Sequence, residues 1–164
     1  MNTKYFFNHP ESLYHDSDLL HNVFVYGTLK SGEHNHSIVS PKENGSKFLG
    51  PATTCAETYV IYCNCGFPMA QDIRVVKPNT YKIIGEIYSV NRKTLAKLDR
   101  LESNGTLYSR VKRPFIIKVN NKPTEVVAWI YLYLGNLDYY QNKNLTSFKR
   151  YVDNKKCKLI EWKR

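Results

Sequence analysis

The chain has 164 residues, 42% of them hydrophobic, and 24 Lys and Arg against 14 Asp and Glu set a net charge of +10. That length suits one domain with a substantial core, and the hydrophobic content with 13 tyrosines excludes an intrinsically disordered chain. The longest apolar run, Val126 to Leu134, is too short to cross a bilayer, which excludes a membrane-spanning helix.

Residues 1–21 read as an N-terminal extension with a short helical turn near Ser17 to His21. The extension is polar and holds no apolar signal core, so the expectation is a cytoplasmic protein. Residues 22–164 read as a single domain that ends in a basic segment, 136–164.

The first strand signal is Val23–Tyr26, which breaks at Gly27 into the loop Thr28-Leu29-Lys30-Ser31-Gly32-Glu33-His34-Asn35-His36. A strand running into a loop that opens a helix presents free backbone N–H groups to an anion. A carboxylate or phosphate suits such a place; an ordinary strand–loop–helix junction is the other reading. The glycine spacing matches neither a Walker loop nor a dinucleotide fingerprint. All five histidines precede residue 37 without a metal-helix spacing, and His34 and His36 read as solvated, so no metal is expected.

Further strand signals follow at Lys47–Thr53, Tyr59–Tyr62, Met69–Val75, Tyr81–Val90, Ser109–Val119 and Thr124–Leu134. Cys55, Cys63, Cys65 and Cys157 lack paired C-x-x-C spacing and read as reduced thiols. In the last strand Val126, Ala128, Ile130, Leu132 and Leu134 share one face, while Val127, Trp129, Tyr131 and Tyr133 share the other. Two apolar faces suit a closed barrel whose outside is covered. Asn120-Asn121-Lys122-Pro123 reads as the turn before it.

One helix matters most. Asn91 caps a helix from Arg92 to about Glu102, with Ser103-Asn104-Gly105 as its stop. Leu95, Leu98 and Glu102 fall on one face at 3.6 residues per turn, away from Lys93, Lys97 and Arg100. A carboxyl group turned inward beside leucines is desolvated and meets the negative end of the helix dipole, and both effects raise its pKa toward proton-transfer range. The alternative is a Glu102 that folds back to solvent or pairs with Arg110 or Arg113.

The segment YGTLKSG followed by NH, after VFV, resembles the start of the γ-glutamylcyclotransferase superfamily, and most the γ-glutamylamine cyclotransferase branch. Gly85-Glu86-Ile87-Tyr88-Ser89-Val90, Leu98-Asp99-Arg100-Leu101-Glu102 and Tyr108-Ser109-Arg110 extend the similarity over roughly Asn22 to Leu134. The resemblance implies a mixed α/β fold, with surrounding helices on a small, mostly antiparallel β-barrel. It implies cyclisation of a γ-glutamylamine, for example γ-glutamyl-lysine, to 5-oxoproline and a free amine without a cofactor. On this basis Glu102 is the general acid/base, and Tyr26, Gly27, Thr28 and Leu29 hold the substrate α-carboxylate. Gly66-Phe67-Pro68 resembles a pocket wall, with a plain turn as the other reading. Tyr108 either places its hydroxyl in the site or is a barrel tyrosine, while Glu86 reads as structural and Asp99 as a cap or pairing group. Relatives usually carry a Pro between that Glu and Tyr; here Gly105-Thr106-Leu107 stands there, which bears on which leaving amine fits.

Two other functions stay open. One is cyclisation of γ-glutamyl dipeptides; the other is a non-catalytic binding protein that uses the fold. From Asn142 to Arg164 eight Lys and Arg face Asp153 and Glu161, a net of +6, interleaved with Phe148, Tyr151 and Trp162. That pattern suits nucleic acid or, equally, a solvated surface. Helix and strand signals in this tail lie at Leu145–Val152 and Lys158–Trp162, and nothing in the sequence addresses oligomeric state.

Overall fold

The computed structural model describes residues 21–64 and 67–136. In chain order these form β1 (His21–Val25), a 3-10 turn (His36–Ile38), α1 (Pro41–Asn44), β2 (Lys47–Thr54), β3 (Tyr59–Asn64) and β4 (Phe67–Asp72). Then come β5 (Ile84–Val90), α2 (Arg92–Leu101), β6 (Tyr108–Val119) and β7 (Lys122–Tyr133). Five strands close into a barrel in the order β1-β5-β2-β6-β7, and β3 with β4 forms a separate hairpin. All barrel pairs are antiparallel except β1 and β7, which meet in parallel at Val23 and Trp129. The expected mostly antiparallel barrel is present; among the described residues α2 is the one helix longer than a turn.

Strand alternation divides the apolar residues into two cores. Phe24 of β1 stacks on Phe115 of β6 with ring centroids 4.2 Å apart. Because β1 and β6 are not neighbours in the barrel, that contact crosses its interior. Tyr26, Ile87, Ile117, Ala128 and Ile130 belong to the same cluster. The opposite parity, Val23, Val25, Tyr88, Val90 and Tyr131, packs outside the barrel with Leu95 and Leu98 of α2. Fully burying each of those leucines contributes about 1.5–3 kcal/mol. In β7 the outer face is covered only in part, since Val127 remains 55% exposed.

The important helix forms as its sequence predicts. Asn91 Oδ1 accepts from the Thr94 amide at 2.8 Å, satisfying one of the otherwise orphaned N-terminal donors. The helix ends at Leu101, Glu102 occupies the C-terminal cap, and Ser103 turns left-handed at φ 47°. Asn120 and Asn121 both have positive φ, 50° and 62°, as a two-residue hairpin with primed turn geometry requires. That turn is shorter than expected: Lys122 and Pro123 already pair in β7.

Several boundaries differ from the sequence reading. The loop after β1 does not open a substantial helix; it leads into turns, the 3-10 turn and the single turn of α1. No helix dipole therefore backs that loop. Strand β4 starts earlier, at Phe67, and stops at Asp72, before Arg74 adopts φ 57°. Tyr81 lies outside β5 and makes an isolated bridge to Tyr59. The first barrel strand begins at His21, paired with Val90, one residue inside the expected extension. The remainder of that extension and the helix and strand expected after residue 136, with Cys65, Gly66 and Cys157, lie outside the described residues. Among the described residues no helix is long and apolar enough to cross a membrane.

Candidate active site

Parallel pairing of β1 and β7 brings their C-terminal ends to one rim of the barrel. The loop from Tyr26 to Leu29 leaves one of those ends, and Tyr131 and Tyr133 finish the other. The β3–β4 hairpin closes over this rim: Gln71 Nε2 donates to the carbonyls of Tyr133 and Gly135, each at 2.7 Å. Helix α2 brings Leu101 and Glu102 to the same place, and the four segments enclose a cavity of about 330 Å³. That volume suits a small molecule.

Bonds to its own neighbours shape the loop. Asn35 donates from its amide to the Thr28 carbonyl and from Nδ2 to Thr28 Oγ1, both at 3.0 Å. His36 Nδ1 sits 3.1 Å from the Leu29 carbonyl, so this histidine is a loop brace and not the solvated side chain expected. At the far end Glu86 Oε2 accepts from the Ser31 amide and from the Tyr88 hydroxyl, both at 2.8 Å, which fits its structural reading. Thr28 and Leu29 bury their side chains. Among the described residues, nothing accepts from the amides of Gly27, Thr28 or Leu29. Main-chain donors left without acceptors at a cavity wall suit an anion.

Gly27 also has a packing role. A β-carbon there would collide with Pro68 Cγ, so the missing side chain lets the β3–β4 hairpin close against the loop. Pro68 is held from the other side by Tyr108, whose hydroxyl donates to its carbonyl at 3.0 Å.

Glu102 lines the cavity, half-buried, and its carboxyl group has no hydrogen-bond or ion-pair partner among the described residues. Burial pushes its pKa up to about 7. Neither candidate arginine reaches it. Arg110 Nε pairs with Asp99 at 3.2 Å and its guanidinium lies 4.5 Å from the Trp129 ring centre, while Arg113 pairs with Asp72 at 3.5 Å. Asp99 also accepts from the Tyr131 hydroxyl at 2.7 Å, so it is a pairing group, as its sequence position predicts.

Four tyrosines line the cavity with Glu102, and the phenol protons of Tyr26, Tyr108 and Tyr131 are already committed. Tyr26 donates to the Tyr131 carbonyl at 2.7 Å, Tyr108 to Pro68 and Tyr131 to Asp99. Burial raises the pKa of Tyr26 and of Tyr131; the Glu102 charge adds to both shifts. A phenol that donates elsewhere offers only lone pairs to a ligand, which suits an ammonium group and not a carboxylate. The lining thus holds two recognition chemistries: free amides of the loop, and phenol lone pairs with one carboxyl group.

Every residue singled out for the site, Tyr26, Gly27, Thr28, Leu29, Phe67, Glu102 and Tyr108, lines this one cavity. Phe67 stands at its mouth, 61% exposed. Sequence reasoning did not place Asn35, Met69, Leu101, Tyr131 or Tyr133 there, whereas Pro68 of the expected pocket wall and Leu107 do line it. The signal for Tyr131 and Tyr133 was the aromatic face of β7, which reads equally well as barrel covering. Among the described residues no cluster of His, Cys, Asp and Glu could hold a metal ion.

Residues 23–153 match the family described as γ-glutamyl cyclotransferase, AIG2-like. The chain is 35% identical over 111 residues to a Methanocaldococcus jannaschii protein with a provisional γ-glutamylcyclotransferase name, covering 68% of this chain and 82% of that one. It is 32% identical over 129 residues to a γ-glutamylaminecyclotransferase of Bos taurus, covering 71% of this chain and 74% of the relative. An AIG2-like protein from Mus musculus shares the fold with a TM-score of 0.68 at 21% identity, over 88% of this chain and 96% of that one. The chain belongs to the AIG2-like γ-glutamylcyclotransferase family, a family of cyclotransferase enzymes.

Proposed function

We propose that this protein converts a γ-glutamylamine into 5-oxoproline and a free amine, with Glu102 as general acid/base. The observation that carries the reading is the Glu102 carboxyl: unpaired among the described residues, pushed up to about 7 by burial, and set in a small-molecule cavity. A group with that pKa exchanges protons readily near neutral pH.

In this mechanism the uncommitted amides of Gly27, Thr28 and Leu29 grip the substrate α-carboxylate. The α-ammonium then lies toward Glu102 and the lone pairs of the tyrosines. Glu102 removes a proton, and the freed amine attacks the γ-carbonyl carbon of the same molecule. A C–N bond forms in a five-membered ring as the C–N bond to the departing amine breaks. The ammonium loses two protons in becoming the lactam N–H, and the leaving group gains two as it departs as an ammonium ion. Glu102 carries the two protons between those nitrogens one after the other and returns to its starting state. Ring closure within one molecule needs chiefly a folded substrate, which a cavity closed by a hairpin supplies.

The test is incubation with a panel of γ-glutamylamines, reading 5-oxoproline and amine in equal amounts. A companion substrate with its α-carboxylate amidated should bind about 10–150-fold more weakly, the worth of a charge-assisted hydrogen bond. Release of glutamate in place of 5-oxoproline would contradict the reaction, and equal affinity for acid and amide would contradict the role of the loop.

A further inference from the structure

We infer that the leaving amine of the preferred substrate carries an uncharged, apolar substituent, held by a collar of Phe67, Leu101 and Leu107 at the cavity mouth. This rests on the cyclotransferase reading above and specifies its substrate class.

The three side chains come from three elements: the start of β4, the last turn of α2 and the loop before β6. All three line the cavity yet remain 61%, 41% and 48% exposed, so they form its rim and not its floor. Apolar side chains this exposed gain by covering surface on a ligand. Leu107 is also held in place. The Leu107 carbonyl accepts from the Leu134 amide at 3.0 Å, and Leu107 lies in the Gly105-Thr106-Leu107 stretch where relatives usually have a Pro. Backbone bonds fix this loop by another route: the Gly105 amide donates to the Tyr108 carbonyl at 2.7 Å, and the Arg110 amide donates to Asn104 Oδ1 at 2.9 Å.

Charge supplies the second argument. Among the described residues that line the cavity, there is no Lys or Arg and no carboxylate besides Glu102. Arg110, which pairs with Asp99 and lies over Trp129 while its buried Nη1 has no hydrogen-bond partner among the described residues, and Lys112, over the same ring at 5.0 Å, both stand outside the cavity lining. A γ-glutamyl dipeptide brings a second carboxylate, and γ-glutamyl-lysine brings both a carboxylate and an ammonium. Neither finds a described counter-ion at this rim, and a carboxylate there would also face the Glu102 charge. An alkyl or aryl amine has no such charge to desolvate.

The experiment is a series of γ-glutamyl n-alkylamides from methyl to hexyl, each with a partner of equal length ending in a carboxylate, plus the ε-lysine conjugate. The expected result is a rise in kcat/KM of roughly two- to fourfold per methylene, lost when the chain ends in a carboxylate. Phe67→Ser and Leu107→Ser, at exposed positions where folding is least at risk, should each flatten the dependence on chain length. No dependence on length, or a preference for the carboxylate-ended partner or the lysine conjugate, would overturn the collar while leaving cyclisation intact. If no compound yields 5-oxoproline, the cyclotransferase reading fails instead. Binding of the same series to Glu102→Gln by calorimetry then judges the collar alone: affinity rising with chain length supports it, and flat affinity overturns it.

Discussion

A carboxyl group buried without a counter-ion is harder to charge, and at Glu102 that penalty is measurable without any substrate. Its pKa is about 7 in the folded protein, against an ordinary value of 4.5. A raised carboxylate pKa means the native state holds the proton more tightly than the unfolded chain. The associated stability is fully present below about pH 4.5 and is lost as pH rises through about 7. Glutamine never charges, so Glu102→Gln should become more stable than wild type across that window, by up to about 3 kcal/mol above pH 7. Urea denaturation at pH 4.5 and pH 8 checks this. Equal differences between the two proteins at both values would mean that Glu102 keeps its water in the folded state. Asp99, three residues earlier on the same helix, is the natural contrast. It holds Arg110 and Tyr131, so Asp99→Asn should lower stability by about 1–3 kcal/mol in the same assay at pH 8. It should leave the titration of Glu102 near 7.

At the scale of elements, the site depends on how closely the β3–β4 hairpin can approach the loop after β1. Gly27 and Pro68 meet where a β-carbon does not fit. Gly27→Val should therefore push the hairpin outward, break the bond from Tyr108 to the Pro68 carbonyl and lower kcat/KM at least 10²-fold, as misplaced catalytic geometry commonly does. Thr28→Ser keeps the hydroxyl that accepts from Asn35 and should be mild. Hydrogen exchange localises the damage: faster exchange in residues 67–72 of the valine variant is the expected signature, and an unchanged hairpin with lost activity would point to direct obstruction of the substrate.

Sequence periodicity was informative at this scale, for physical reasons. The Asn91 cap and the shared face of Leu95, Leu98 and Glu102 are local properties of one helix, and they appear as written. So does the alternation read in β7, which puts Ala128 and Ile130 in one core cluster and Tyr131 in the other. Contacts between distant segments were not legible. Nothing in the loop sequence says that Pro68 demands Gly27, that Arg110 turns to Asp99 and Trp129, or that His36 braces Leu29. The helix expected behind the loop failed for a similar reason. The backbone amide of Asn35, which donates to the Thr28 carbonyl, and the carboxylate of Glu86, which accepts from the Ser31 amide, satisfy the backbone there, and the chain closes into turns.

Over the whole molecule, a five-stranded barrel with one parallel seam places two strand ends, a hairpin and a helix terminus around one cavity. Each element is ordinary by itself. Their convergence leaves one carboxyl group without a described partner in the same cavity as amides that lack described acceptors, and the proposal makes that group the proton carrier. The central claim is that this carrier drives ring closure. The most direct measurement is the pH dependence of 5-oxoproline formation from an accepted γ-glutamylamine by wild type and Glu102→Gln. The account predicts that wild-type kcat/KM rises with pH through an apparent pKa near 7, as the base form of Glu102 appears. In the variant, turnover should fall by roughly 10²–10⁴-fold and that limb should vanish, with substrate affinity little changed. Near-wild-type turnover in the Gln variant, with the same limb retained, would contradict the assignment of Glu102 as acid/base.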